Sequence, residues 1–307
     1  MTDTTLSNAD AKPNAKSSYS RADLHQQVTD TIIAPMEAGT APWHQPWVGG
    51  NRQPFRLPVN ARTAKAYSGI NILLLWCAVQ SKEFASHEWA TLKQWNAQKE
   101  SIRKGEKGNM IVYYDTFEKE VDNEIQRIPF LKRSYVFNRC QLASYTPDES
   151  PTPPVTSLVE RLENVERFVA NTKATIRHQG YSACYIPSAD AIHMPEKNSF
   201  INTEHSTATE NYYSTLMHEM THWSGHPNRL NRKLSGRFGD VPYAEEELIA
   251  ELSAAFLCAE LEITNTPKRE HASYLANWLT VLKQDKHAII AAASRASKTV
   301  EYLRGLL

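Results

Sequence analysis

Tyr212-Tyr213-Ser214-Thr215-Leu216-Met217-His218-Glu219-Met220-Thr221-His222 is the stretch on which the reading of this chain turns. It holds no Pro or Gly before Gly225, so the spacing predicts a helix with Gly225 as its C-cap. Residues four apart on a helix lie one above the other, which puts His218 and His222 on one face. Two imidazoles so placed grip one Zn²⁺, and the intervening Glu219 is placed to act on the metal-bound water as general base. The ion brings the pKa of that water towards 7. A helix that carries these residues without a metal is the plain alternative, and the surrounding sequence argues against it.

Such a site needs a third protein ligand. A His ten residues after His218 would complete one common pattern, but Asn228 stands there, and His226 is out of register beyond Gly225. A better source is Pro242-Tyr243-Ala244-Glu245-Glu246-Glu247-Leu248-Ile249-Ala250-Glu251-Leu252. Pro followed by three Glu starts a helix well. Leu248, Leu252, Ala255, Phe256 and Ala259 mark its buried face. Glu251 falls inside that stripe and Glu247 at its edge. A carboxylate on a buried face is costly unless paired or metal-bound. Glu251 is the expected ligand, with Glu247 as its hydrogen-bonding partner or substitute; Glu245 and Glu246 read as a solvated helix start.

The residues around the motif resemble a known family. His218 to Arg232, Tyr243 to Glu251 and Phe200 look like the metallopeptidase half of ArdC-type plasmid antirestriction proteins. The likeness continues through Pro42-Trp43-His44-Gln45-Pro46-Trp47, Tyr67 to Asn71, Arg103 to Gly108, Val136-Phe137-Asn138 and Trp278 to Asp285. TraC-type plasmid primases share part of it. The resemblance implies an α+β architecture: an N-terminal mixed α/β domain that binds single-stranded DNA, then a zincin-like, gluzincin-type metallopeptidase domain. It implies Zn²⁺ or another divalent metal such as Mn²⁺ as cofactor. It also implies protection of incoming plasmid DNA from host restriction during conjugation. One departure is Glu262, where Gly is expected as a helix stop.

Composition fits two domains. The 307 residues suffice for two modest cores, and Thr146 to Ser157, with four Pro, reads as a linker. The expected segments are a disordered tail over 1–18, a DNA-binding domain over 19–145, the linker over 146–157 and the metallopeptidase domain over 158–307. Four scattered Cys suit a reducing cytoplasm, and no apolar run reaches the length of a membrane span. Net charge is zero, yet residues 51–145 hold 15 Lys and Arg against nine Asp and Glu.

Cations interleaved with aromatics are the footprint of a single-strand groove, in which phosphates meet Lys and Arg while bases stack on rings. Arg52, Arg56, Arg62, Lys65, Arg103, Lys104 and Lys107 are the expected phosphate contacts. Trp43, Trp47, Phe55 and Tyr67 are the expected stacking platforms, and Trp76 reads as core. An ordinary solvated surface has the same composition, so the family resemblance decides for DNA.

Apolar periodicity predicts helices over 21–37 and 71–80, with a third beginning near Ser86. Strands are expected at 110–114 and 130–140, joined by an acidic loop over 118–124. A long helix is expected over 158–179, then strands at 183–187, 191–194 and 200–201, with His193 on the edge strand beside the metal cleft. Two helices close the chain, over 269–286 and 289–303. Three functions stay open at this point: a peptidase delivered to DNA-bound proteins such as restriction enzymes, single-strand coating on an inactive zincin scaffold, or a primase-related accessory. No carboxylate cluster for nucleotide chemistry lies outside the motif.

Overall fold

The computed structural model describes residues 21–43, 56–121, 124–146, 158–203, 206–234, 241–263 and 271–306. The tail expected over 1–18 and the linker, apart from Thr146, lie outside them. The element order is α1 (Arg21–Glu37), β1 (Val59–Asn60), α2 (Ile70–Lys82), β2 (Glu88–Ala90), α3 (Leu92–Ala97), β3 (Asn109–Val121), β4 (Glu124–Asn138), α4 (Leu158–Thr172), β5 (Thr175–His178), β6 (Cys184–Ile186), β7 (Ala191–Met194), α5 (Ala208–Ser224), α6 (Val241–Glu260), α7 (His271–Gln284) and α8 (Ala288–Arg304). The fold is the α+β arrangement expected.

The N-terminal sheet has the order β1-β2-β4-β3, with β3 and β4 forming a long antiparallel hairpin. Its ladder runs to Val121 opposite Glu124, through the stretch expected to be a loop. The third helix starts later than expected. Glu88–Ala90 is a strand paired with β4, and Thr91 caps α3 in a capping box with Gln94. Burial of Trp89 between sheet and α2 outweighs the weak helical pattern before it.

The second sheet has the order β5-β7-β6. The helix expected over 158–179 stops at Thr172, because Lys173 takes a left-handed φ of 57° and the chain turns into β5. His193 therefore lies on the central strand, β7, and β6 is the edge strand that packs against α5. No strand forms at 200–201.

The two sequence halves share one core. Val28, Ile32 and Trp76 of α1 and α2 belong to the same buried cluster as Phe256, Trp278 and Ile289 of α6, α7 and α8. Trp43 packs edge-on to Trp278 with ring centroids 5.8 Å apart, and Trp76 to Phe256 at 5.7 Å. Polar ties cross the same boundary: the Thr29 hydroxyl donates to the Lys286 carbonyl (2.8 Å), and the Gly69 N–H to the Ser297 hydroxyl (2.7 Å). Among the described residues, no helix is long and apolar enough to cross a membrane.

Candidate metal centre

Helix α5 is capped by Thr207, whose hydroxyl accepts from the Glu210 N–H while the Glu210 carboxylate accepts from the Thr207 N–H. The helix ends at Gly225, as its sequence predicts, but that glycine has an ordinary φ of −78°. Its role is room. A Cβ there would sit 2.7 Å from Leu234 Cδ2, 3.0 Å from the Arg232 guanidinium and 3.1 Å from the His222 carbonyl oxygen, so a larger residue would make both side chains shift where the returning loop lies against the helix end. That loop delivers Arg232 to the site.

The imidazoles of His218 and His222 face each other with Nε2 atoms 3.1 Å apart. Helix α6 brings Glu247 to these inward nitrogens, Oε2 at 3.5 Å from His218 and Oε1 at 3.3 Å from His222. His218, His222 and Glu247 thus converge on one point. Two ligands about 2.0–2.1 Å from one ion at a tetrahedral angle lie roughly 3.3–3.4 Å apart, so the spacing suits a divalent ion.

The outward nitrogens have their own carboxylates. Glu251 Oε1 lies 3.7 Å from His218 Nδ1, and Glu246 Oε1 lies 3.3 Å from His222 Nδ1. The geometry favours the expected substitute: Glu247 takes the inward position, and Glu251, the expected ligand, the outward one. The two are four residues apart on one helical face, so the axial offset between α5 and α6 decides which meets the inward atoms. Glu246 is also not a solvated helix-start residue. It is buried and receives Arg232 Nε at 3.1 Å and an Arg232 terminal nitrogen at 2.9 Å. Arg232 further donates to the Ser224 and Thr299 hydroxyls, both at 3.0 Å, anchoring the arrangement to α8. Carboxylates on the far nitrogens of paired imidazoles fix ring orientation and raise basicity.

The electrostatics follow. Burial alone would lower the His222 pKa, but hydrogen bonds to Glu246 and Glu247 carry it up to about 10. Burial would raise the Glu247 carboxyl, yet the two imidazoles hold it far below the usual carboxylate range. Three glutamates, Glu246, Glu247 and Glu251, thus stand at ion-pairing distance around the two imidazoles. Glu219 is buried, and its Oε2 accepts from the backbone N–H of Tyr185 on β6 at 3.0 Å. His226 lies beyond the helix end, where its Nδ1 accepts from the Asn228 N–H (3.2 Å).

The expected DNA-contact residues scatter more widely. Trp43 is 1% exposed, packed on Trp278, and offers no ring for stacking. Trp47, Arg52 and Phe55 lie outside the described residues. Arg56 pairs with Glu262 at 3.2 Å, and Tyr67 is half-buried, its hydroxyl accepting from Asn60 at 3.4 Å. Arg103 is tied to Glu106 (2.8 Å) and to the Leu142 carbonyl (3.2 Å). Arg62, Lys65, Lys104 and Lys107 are exposed.

The hairpin adds aromatics that sequence reasoning passed over. Tyr113, Tyr114 and Tyr135 are 43%, 60% and 49% exposed, among exposed Lys132 and Arg133. Tyr113 lies opposite Lys132 in the ladder, and the Lys132 ammonium is 5.7 Å from its ring centroid. Tyr135 adjoins the basic turn: a Cβ on Gly108 would come within 2.9 Å of Tyr135 Cβ, so Gly108 lets that turn approach the strand. The available signal is the cluster of Tyr and cations in 113–114 and 132–135; by strand alternation Tyr113 and Lys132 share one face, and Tyr114, Arg133 and Tyr135 the other.

The comparisons agree with this architecture. A family profile described as the N-terminal domain of anti-restriction factor ArdC matches residues 22–137, and one described as a zincin-like metallopeptidase matches residues 163–295. The chain is 38% identical over 290 residues to the uncharacterized protein y4eC of Sinorhizobium fredii, covering 92% of this chain and 91% of that one. It is 36% identical over 300 residues to a DNA primase TraC of Escherichia coli, covering 91% of this chain but 27% of the primase. The metal-free crystal structure of the antirestriction ArdC protein from plasmid R388 superposes with a TM-score of 0.75 at 36% identity, covering 92% and 97% of the two chains. Its Mn(II)-bound structure gives 0.71 at 38%, covering 92% and 98%.

Proposed function

We propose a function from the premise that this chain belongs to the family of ArdC-type antirestriction proteins. It binds single-stranded DNA through its N-terminal half, carries a metal-dependent peptidase centre in its C-terminal half, and protects incoming plasmid DNA from restriction during conjugation. The observation that carries the catalytic part is the double arrangement of carboxylates: one on the inward nitrogens of His218 and His222, one on the outward nitrogen of each. Chance pairs of His on a helix have no need of that order.

In this reading His218, His222 and Glu247 are the ligands of Zn²⁺ or Mn²⁺. When bound, the ion polarises a carbonyl and acidifies water. Glu219 takes the proton from the attacking water and returns it to the leaving amine. Glu246 and Glu251 keep the two imidazoles oriented, with Arg232 fixing Glu246. The side chains that meet DNA are Tyr113, Tyr114 and Tyr135 as stacking surfaces and Arg62, Lys65, Lys104, Lys107, Lys132 and Arg133 as phosphate contacts. Their support is the exposure of rings and cations together on neighbouring strands and turns.

The test combines metal analysis with peptide hydrolysis, each with and without single-stranded DNA. Glu219→Ala is expected to keep the fold, the metal and DNA binding while hydrolysis falls by orders of magnitude. Metal loss in that variant would contradict the assigned role. If protection of transferred DNA survives at full level in Glu219→Ala, single-strand coating provides the function without proteolysis.

A further inference from the structure

The edge strand β6 is fastened to the end of the metal-site helix by one arginine. Arg229, seven residues after His222, donates from Nε to the Trp223 carbonyl at 2.6 Å, and its guanidinium carbon lies 3.9 Å from the Trp223 ring centroid. One terminal nitrogen donates to Asp190 Oδ2 at 3.0 Å. The other contacts Asp190 Oδ1 and the Tyr185 hydroxyl, the latter at 3.2 Å. The Tyr185 hydroxyl itself donates to Asp190 Oδ1 at 2.8 Å. Asp190 sits in the turn between β6 and β7 at a left-handed φ of 45°. The backbone N–H of the same Tyr185 is the donor to Glu219.

We propose that Arg229, acting through Asp190 and Tyr185, is a positioning residue for Glu219. The inference rests on the metallopeptidase reading above. Trp223 directly follows His222, so the clamp fixes the distance between the ligand-bearing helix and the strand amide that holds the base. A planar guanidinium makes the two-pronged contact with Asp190 and keeps a donor for the phenol, whereas an ammonium cannot span both. Arg229→Lys therefore keeps the charge and loses the geometry. The Tyr185 N–H is committed to Glu219, so β6 does not offer that donor to a substrate backbone while the base is held.

The experiment uses the full chain labelled with ¹⁵N-tyrosine and ¹⁵N-isoleucine, following amide exchange at Tyr185 and at Ile192 on β7 as internal control. Mn(II) affinity and the kcat and KM of peptide hydrolysis are measured on the same samples. Arg229→Lys and Asp190→Asn are expected to accelerate Tyr185 exchange at least tenfold with Ile192 unchanged. Mn(II) affinity should stay within threefold, while kcat falls at least tenfold and KM stays within threefold. Glu219→Ala should release the Tyr185 amide by a similar factor. Should either variant fold poorly, Tyr185→Phe removes only the hydroxyl and should give a smaller release of the same amide. Unchanged Tyr185 exchange in folded Arg229→Lys, or equal acceleration at Ile192, overturns the proposal. Release of the Tyr185 amide in a protein whose wild type binds no Mn(II) and cleaves no peptide would support the clamp and overturn the peptidase reading.

Discussion

In the metal centre the functional groups are buried and each is held by another, whereas on the β3–β4 hairpin the tyrosines and cations stand in solvent. His218, Glu219, Glu246, Glu247 and Glu251 are all buried, and Arg232 ties their frame to α8. Tyr113, Tyr114 and Tyr135 are about half exposed, and the cation near Tyr113 is an exposed lysine. The difference teaches how each region tolerates change. In the buried centre a lost partner leaves a charge uncompensated, so effects are large and coupled. On an open face each contact contributes a small, nearly independent share.

The largest effect tests whether the centre is a metal site at all. His222→Ala should abolish stoichiometric metal in elemental analysis, and His218→Ala likewise; metal unchanged in either variant breaks the comparison at its root. Next comes the shared core. Trp43→Ala should cost about 3–5 kcal/mol in denaturant unfolding, because it empties the contact with Trp278. A change below about 0.5 kcal/mol, typical of surface sites, would return Trp43 to the surface and to the DNA-contact set.

Within the centre, inward and outward carboxylates should separate. Glu247→Ala is expected to abolish stoichiometric Mn(II) or Zn(II) binding, while Glu251→Gln weakens affinity about tenfold, the low end for a residue that orients a ligand. Equal losses in calorimetry would erase the distinction drawn between them. On the hairpin, Tyr135→Ala should leave stability nearly unchanged and weaken single-stranded DNA binding by about 1–3 kcal/mol, if one base stacks there. Lys104→Ala should lower the salt dependence of binding by about 0.7 in log–log slope, the share of one single-strand phosphate. An unaltered slope would remove that lysine from the interface.

The smallest effect concerns the end of α6. Glu262 stands at a left-handed φ of 55° where Gly would be unstrained, and the chain still turns there, with the Ile263 N–H donating to the Cys258 carbonyl at 2.9 Å. Its carboxylate pairs with Arg56. Relief of backbone strain should outweigh that pair, so Glu262→Gly is expected to stabilise the chain by about 0.5 kcal/mol in thermal unfolding. A destabilisation above 1 kcal/mol would mean that the Arg56 pair contributes more than a surface ion pair.

Much of the architecture was legible because helix signals are local. The apolar pattern from Arg21 to about Glu37 matches α1, and strand β7 lies where 191–194 predicts it. The failures share a cause. The strand at Glu88–Ala90 and the strand Thr175–His178 each depend on a partner strand distant in sequence, and the ladder from Glu118↔Arg127 to Val121↔Glu124 depends on cross-strand pairing in a polar stretch, none of which short-range apolar periodicity contains.

For the candidate site, the sequence by itself determined that His218 and His222 share a helical face, that Glu219 lies between them and that one further helix supplies the carboxylates, since all three facts follow from spacing along single helices. Only the tertiary structure decided that Glu247 faces the inward nitrogens and Glu251 the outward one, because that choice lies in how far α6 is shifted along α5. It also decided that Trp43 belongs to the core while Tyr135 faces solvent. Both are aromatics in a basic half of the chain. Which of them is covered depends on where α1, α7 and α8 come to rest, and that is settled by burying apolar surface across the whole molecule rather than by any neighbour in sequence.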